Sequence, residues 1–146
     1  MSSTKRKTLG DLFRAFAPKA TQNNFNAEIQ QVNVKIPATT ATATFPLYWG
    51  QGPAYLHSVQ FLSETTNAAS QWSIQLQNAS TDGSGSTAIG SAATGATVIN
   101  DNTVIYAPTD PLSSVIKDGE VVIAVCTRTG GTLQGTFVVN YIRILD

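Results

Sequence analysis

The side chains able to carry acid–base or nucleophilic chemistry are few in this sequence, and they are scattered. After residue 26 the acids are Glu28, Glu64, Asp82, Asp101, Asp110, Asp118, Glu120 and Asp146. Carboxylate catalysis needs two acids brought together in environments that split their pKa values. Most of these eight lie in segments that read as turns, where an Asp ordinarily bonds its own backbone. His57 is the single histidine and Cys126 the single cysteine. A nucleophilic triad would have to join His57 to a Ser or to Cys126 and to an orienting acid. The chain contains no G-x-S-x-G nucleophile elbow. Cys126 follows Val122 and Ala124 at period two, which predicts a buried, inert thiol. One Cys cannot form an internal disulfide, and one His with one Cys cannot complete a four-ligand zinc site. Asp82-Gly83-Ser84-Gly85-Ser86 has neither the EF-hand ligand spacing nor the lysine of a P-loop, and it reads as a hairpin loop. The expectation is a protein that is not an enzyme, with no catalytic residues, no metal and no cofactor.

Binding chemistry is concentrated at the N-terminus. The formal net charge is zero over 146 residues, but the charge is split. Residues 1–20 hold Lys5, Arg6, Lys7, Arg14 and Lys19 against Asp11 alone, a net of +4, which leaves −4 for residues 21–146. Such asymmetry suggests a tail that docks on an acidic surface. Thr8 and Asp11 resemble a capping box with Asp in place of Glu or Gln. Leu9, Leu12, Phe13 and Phe16 then follow at i, i+3, i+4 and i+7, one face of a helix that Pro18 ends. A helix of about ten residues does not hold its shape alone in water. It must lie on a partner surface or on its own domain, and on the first reading the predicted partner-binding set is Lys5, Arg6, Lys7, Leu9, Leu12, Phe13 and Phe16. Three adjacent cations could neutralise only a few phosphates, and the remainder of the chain is net negative, so nucleic acid is not the expected partner. No run of residues is long and apolar enough for a membrane helix or a signal peptide, so neither a membrane partner nor secretion is expected. The sequon Asn78-Ala79-Ser80 accordingly carries little weight.

These groups must be positioned by β-structure. Three units are expected: a basic amphipathic arm over 1–20, a polar linker over 21–30 with Phe25 as an aromatic anchor, and a β-domain over 31–146. Val32, Val34 and Ile36 alternate with polar residues, as do Phe45, Leu47 and Trp49 after the Thr-Ala alternation of 41–44. Tyr55, His57, Val59 and Phe61 are expected on one face of the next strand. The pattern is clearest in Trp72, Ile74 and Leu76, set against Ser73, Gln75 and Gln77. Residues 87–99 read as strand or loop. Val104–Tyr106, Val121–Cys126 and Gly135–Leu145 complete the set, with turns at Asp118-Gly119 and Gly130-Gly131. Thr and Ser together make 31 of the 146 residues, which suits solvent-facing strand positions. About eight short strands without helical periodicity predict an all-β fold, an antiparallel β-sandwich of jelly-roll type. From Phe137 to Leu145 both faces are largely apolar, so this strand is either central and covered or set against another subunit. On the second reading Phe137, Val139 and Tyr141 form the oligomer interface.

The segment from Trp72 to Leu145 resembles the small jelly-roll or β-sandwich proteins of tailed-bacteriophage virions, especially capsid decoration (cement) proteins and the related trimeric tips of tail and head fibres. The residues carrying this resemblance are the Trp72-x-Ile74-x-Leu76-x-Asn78 strand with its Asp82-Gly83-Ser84-Gly85 loop, the Ile116-Lys117-Asp118-Gly119-Glu120 turn, and the closing strand with Tyr141. They cover about half of the chain. The resemblance implies a structural protein on the capsid surface, often a homotrimer, whose N-terminal extension clamps the major capsid protein or another virion protein. The long polar lead-in departs from many compact cement proteins. Two other readings stand beside it. One is a carbohydrate-binding module or receptor-binding tip, for which Trp49, Tyr55 and Trp72 would have to be exposed. The other is a small viral coat protein whose basic arm touches the packaged genome.

Overall fold

In the computed structural model, which describes residues 29–90, 99–110 and 112–144, nine strands carry the alternating segments. They are β1 (Ile29–Thr39), β2 (Ala43–Trp49), β3 (Ala54–Ser63), β4 (Trp72–Asn78), β5 (Thr87–Ile89), β6 (Asn102–Tyr106), β7 (Val115–Ile116), β8 (Val121–Arg128) and β9 (Leu133–Arg143). β1 begins at Ile29, two residues inside the segment expected as linker. The arm over 1–20, and with it Lys5, Arg6, Lys7, Leu9, Leu12, Phe13 and Phe16, lies outside the described residues.

The pairings are nested. β1 pairs with β9, β2 with β8, β3 with β6 and β4 with β5, as if one long hairpin had been rolled up. Successive pairs alternate between two sheets. Pairing of β9 with β3 and of β8 with β4 closes each sheet, giving the orders β1-β9-β3-β6 (with β7 alongside β3) and β2-β8-β4-β5. All these pairings are antiparallel. This is the expected β-sandwich, and its rolled strand order is that of a jelly roll.

The inner faces of the two sheets form the core. β4 and β8 pair in unbroken register, with Ile74 opposite Cys126 and Leu76 opposite Ala124, and these four are buried together with Trp72 of β4 and Val122 of β8. Opposite them lie Leu56, Val59 and Phe61 of β3 with Leu133, Phe137 and Val139 of β9. Phe61 and Phe137 are register partners whose rings tilt at 53° with centroids 4.7 Å apart. Such an aromatic pair contributes about 0.5–1.5 kcal/mol beyond the area it buries. Gly135 lets β9 approach β3 here, because a Cβ would sit 2.1 Å from the Leu62 carbonyl oxygen and 2.8 Å from the Phe61 ring.

Among the described residues four strand pairs carry a register shift, and two of these shifts re-aim residues weighed above. In β2 the register with β8 shifts between Pro46 and Tyr48, so Leu47 is the extra residue. Leu47 and Tyr48 are both buried, and Trp49 turns outward with 67% of its surface exposed. In β3 the register with β9 shifts between Leu56 and Ser58, at His57. Ala54 and Leu56 therefore face inward before the bulge, and Val59 and Phe61 after it. Tyr55 and His57 do not share the face of Val59 and Phe61. The physical reason is common to both strands: one inserted residue moves every side chain beyond it to the opposite face.

Candidate interaction surfaces

The groups weighed for chemistry lie far from one another in role. Cys126 is fully buried between Ala43 and Ile74 of the flanking strands, and burial pushes its thiol up to about 12. Asp82 Oδ1 accepts hydrogen bonds from the Ser84 amide at 2.9 Å and the Ser84 hydroxyl at 2.8 Å. These bonds, the backbone one foremost, hold the Asp82 carboxyl below its ordinary value. Asp110 Oδ1 likewise accepts from the Leu112 amide at 3.0 Å. Glu120 Oε2 accepts from the Lys117 amide at 2.8 Å and from Asn78 Nδ2 at 2.9 Å, which lowers its pKa. These acids fasten turns. The sequon residue Asn78 spends both ends of its amide in the same way, its Oδ1 accepting from the Ser80 amide at 2.8 Å. Among the described residues no three of His, Cys, Asp and Glu gather as metal ligands.

The expected oligomer set on β9 needs correction. Phe137 and Val139 are fully buried inside their own sandwich. β9 is flanked by β1 and β3, and its inner face is committed to the core. Tyr141, further along the same face, is only partly buried; its ring packs on Tyr48 at 4.6 Å and its hydroxyl donates to Gln30 Oε1 at 3.0 Å. The side chains that β9 turns outward are Thr136, Val138, Asn140 and Ile142.

Those residues belong to ordered rows across the outer face of the larger sheet. Ile29 of β1 pairs with Ile142 of β9, Ile142 with Tyr55 of β3, and Tyr55 with Val115 of β7. The row is apolar across four strands. Its ends are open, Ile29 at 55% and Val115 at 44% exposure. Neighbouring strands lie about 4.8 Å apart, so the row spans about 14 Å. Beside it runs a polar row. Gln31 Nε2 donates to Asn140 Oδ1 at 3.1 Å, Asn140 Nδ2 donates to Ser58 Oγ at 3.1 Å, and Ser58 Oγ meets His57 Nδ1 at 3.1 Å. His57 thus ends a hydrogen-bonded chain on a sheet surface. Sequence reading missed this face because its members come from four strands that are distant along the chain. The signal available was Ile142, an apolar residue on the same outward face of β9 as Val138.

A second surface lies at the open edge of the sandwich, where β1 and β2 border different sheets. A groove of about 260 Å³ is lined by Val32, Leu47, Tyr48, Trp49, Gln51, Tyr141 and Arg143. Of the three aromatics weighed for sugar stacking, Trp72 is fully buried and Tyr55 partly buried. Trp49 stands free at the groove. Burial, aided by the nearby Tyr141, raises the Tyr48 phenol above its ordinary value.

No family model and no curated protein matches this chain. A solved structure described as "Structure of infectious bursal disease virus Gx strain" is similar at 14% identity over 82% of this chain, with a TM-score of 0.27. The match spans 36% of that longer chain.

Proposed function

We propose that this chain is a non-enzymatic structural protein of a virus particle, a capsid decoration protein that binds and stabilises an assembled phage shell. The observation that carries this reading is the rolled, nested strand order, since double-sheet jelly rolls are a recurrent architecture of viral capsid domains. Two further features support it. The outer face of the larger sheet presents the Ile29–Ile142–Tyr55–Val115 row, an apolar strip bordered by hydrogen-bonding groups and suited to a broad, flat contact. The sequence ahead of β1 supplies the basic amphipathic arm, with Leu9, Leu12, Phe13 and Phe16 as apolar anchors and Lys5, Arg6 and Lys7 for acidic groups on the major capsid protein. In this reading the body assembles as a homo-oligomer, a trimer by resemblance, on the outside of the shell. Stabilisation follows from mass action, because a protein that binds assembled subunits and not loose ones shifts the balance toward the shell.

The experiment is co-sedimentation with emptied capsids of the virus that encodes the chain. Three proteins are compared: the full chain, a chain lacking residues 1–20, and the full chain carrying Ile29→Glu with Val115→Glu. The full chain should pellet with capsids and raise their disassembly temperature. The truncated chain should stay folded by circular dichroism and remain in the supernatant, and the double variant should bind at least tenfold more weakly. Equal decoration by all three, or no decoration by the full chain, overturns the proposal.

A further inference from the structure

The structure assigns a second binding site, for a carbohydrate ring, to the groove beside Trp49. The argument begins with the bulge. Regular alternation through Phe45, Leu47 and Trp49 would have turned Trp49 toward the core, where a large indole stabilises a sandwich. Instead the extra residue Leu47 turns Tyr48 inward and leaves Trp49 67% exposed. Bulges recur where a side chain is re-aimed toward a ligand. The indole offers a flat apolar face, which suits the C–H face of a pyranose, together with an N–H able to meet a hydroxyl.

The remaining groove walls supply what a sugar needs beside that face. Tyr48 and Tyr141, 4.6 Å apart, supply aromatic lining. Arg143 Nη2 donates to the Gln51 carbonyl at 3.0 Å, which leaves other guanidinium donors for hydroxyl or carboxylate oxygens. The Gln51 side-chain amide both donates and accepts. A groove of about 260 Å³ lies just below the usual range for drug-sized ligands, so it holds one ring of a longer glycan.

The loop that carries Gln51 is held in advance. The Gly50 amide donates to the Glu120 carbonyl at 2.8 Å, the Gly119 amide to the Gly50 carbonyl at 2.8 Å, and the Ile144 amide to the Pro53 carbonyl at 3.0 Å. The Gly52 amide donates to Asp118 Oδ1 at 2.8 Å. Gly50 itself admits no side chain, because a Cβ would lie 2.4 Å from the Lys117 carbonyl oxygen. A loop pinned from two directions loses little freedom when a ligand binds, which favours affinity from a small contact. This site is separate from the outer face proposed to meet the shell, so either surface can fail its test without deciding the other.

The test uses the full chain with three probes: cellohexaose, N-acetylchitohexaose and 3′-sialyllactose. Tryptophan fluorescence separates the two indoles, since Trp72 is fully buried and Trp49 is not. At least one probe should saturate with a Kd of about 1 mM or tighter and shield Trp49 from acrylamide quenching. Trp49→Ala should lose that binding at an unchanged melting temperature, and Trp49→Tyr should recover part of it, because a smaller aromatic face remains. Absence of saturation by all three probes at about 10 mM, or binding that survives Trp49→Ala, overturns the assignment.

Discussion

Alkylation of Cys126 offers a measurement that bears on the whole sandwich at once. The thiolate is the attacking species, so the rate follows the fraction ionised and the access of the reagent. An ordinary thiol with a pKa of 9.0 is ionised to about one part in ten at pH 8, whereas burial pushes the Cys126 thiol up to about 12 and reduces that to about one part in ten thousand. The native state should therefore react about a thousandfold more slowly than an unstructured peptide carrying the same residue, before any steric exclusion by the β2, β4 and β8 side chains around it. The alternative route runs through the unfolded chain. A domain stable by at least about 5 kcal/mol has an unfolded fraction near or below one part in several thousand. Both routes give the same bound: native protein should label at least about a thousandfold more slowly than a peptide control. The assay is iodoacetamide labelling at pH 8 followed by intact-mass measurement, repeated in rising urea. The rate should stay low until urea populates open states and then climb with the unfolded fraction. Labelling within tenfold of the peptide control in the absence of urea would falsify the placement of Cys126 in a closed core.

Three further outcomes follow from particular contacts. Gly135→Ala must force β9 from β3, since the new methyl would meet a carbonyl at 2.1 Å, and should cost about 1–3 kcal/mol or more in urea denaturation; Gly130→Ala, where the nearest atom is 3.5 Å away, should be near neutral. Asn67, 1% exposed, donates from Nδ2 to the Thr132 carbonyl at 2.8 Å while its backbone bridges Ile99, so Asn67→Ala should lower stability by about 1–3 kcal/mol, and an unchanged urea midpoint would contradict this role. Glu120 has its pKa lowered, chiefly by the Lys117 amide and then by Asn78. Its contribution is therefore present above the ordinary carboxylate value of 4.5 and is lost as pH falls through the lower folded value. Glu120→Gln should flatten the fall in melting temperature between about pH 5 and pH 2, and an unaltered acid limb would show that the carboxylate bonds carry no weight.

Sequence alone determined the class of the fold and the strands whose alternation runs unbroken. Trp72, Ile74 and Leu76, like Val122, Ala124 and Cys126, alternate in the sequence and are buried in the structure, because β4 and β8 pair without a register shift. The turn roles of Asp82 and Asp110 were legible for a local reason: each bonds a backbone amide two residues on. Tertiary structure decided the rest. Period two is a local rule that a single inserted residue reverses, so the outward turn of Trp49 and the position of His57 depended on bulges set by β8 and β9. The apolar run in β9 fitted two environments equally well, and only its place between β1 and β3 sent Phe137 and Val139 to the interior. The apolar row on the outer sheet and the groove at the open edge are assembled from residues as far apart as Ile29 and Ile142. Contacts over such separations are fixed by which strands find one another in the folded chain, and no short window of sequence contains them.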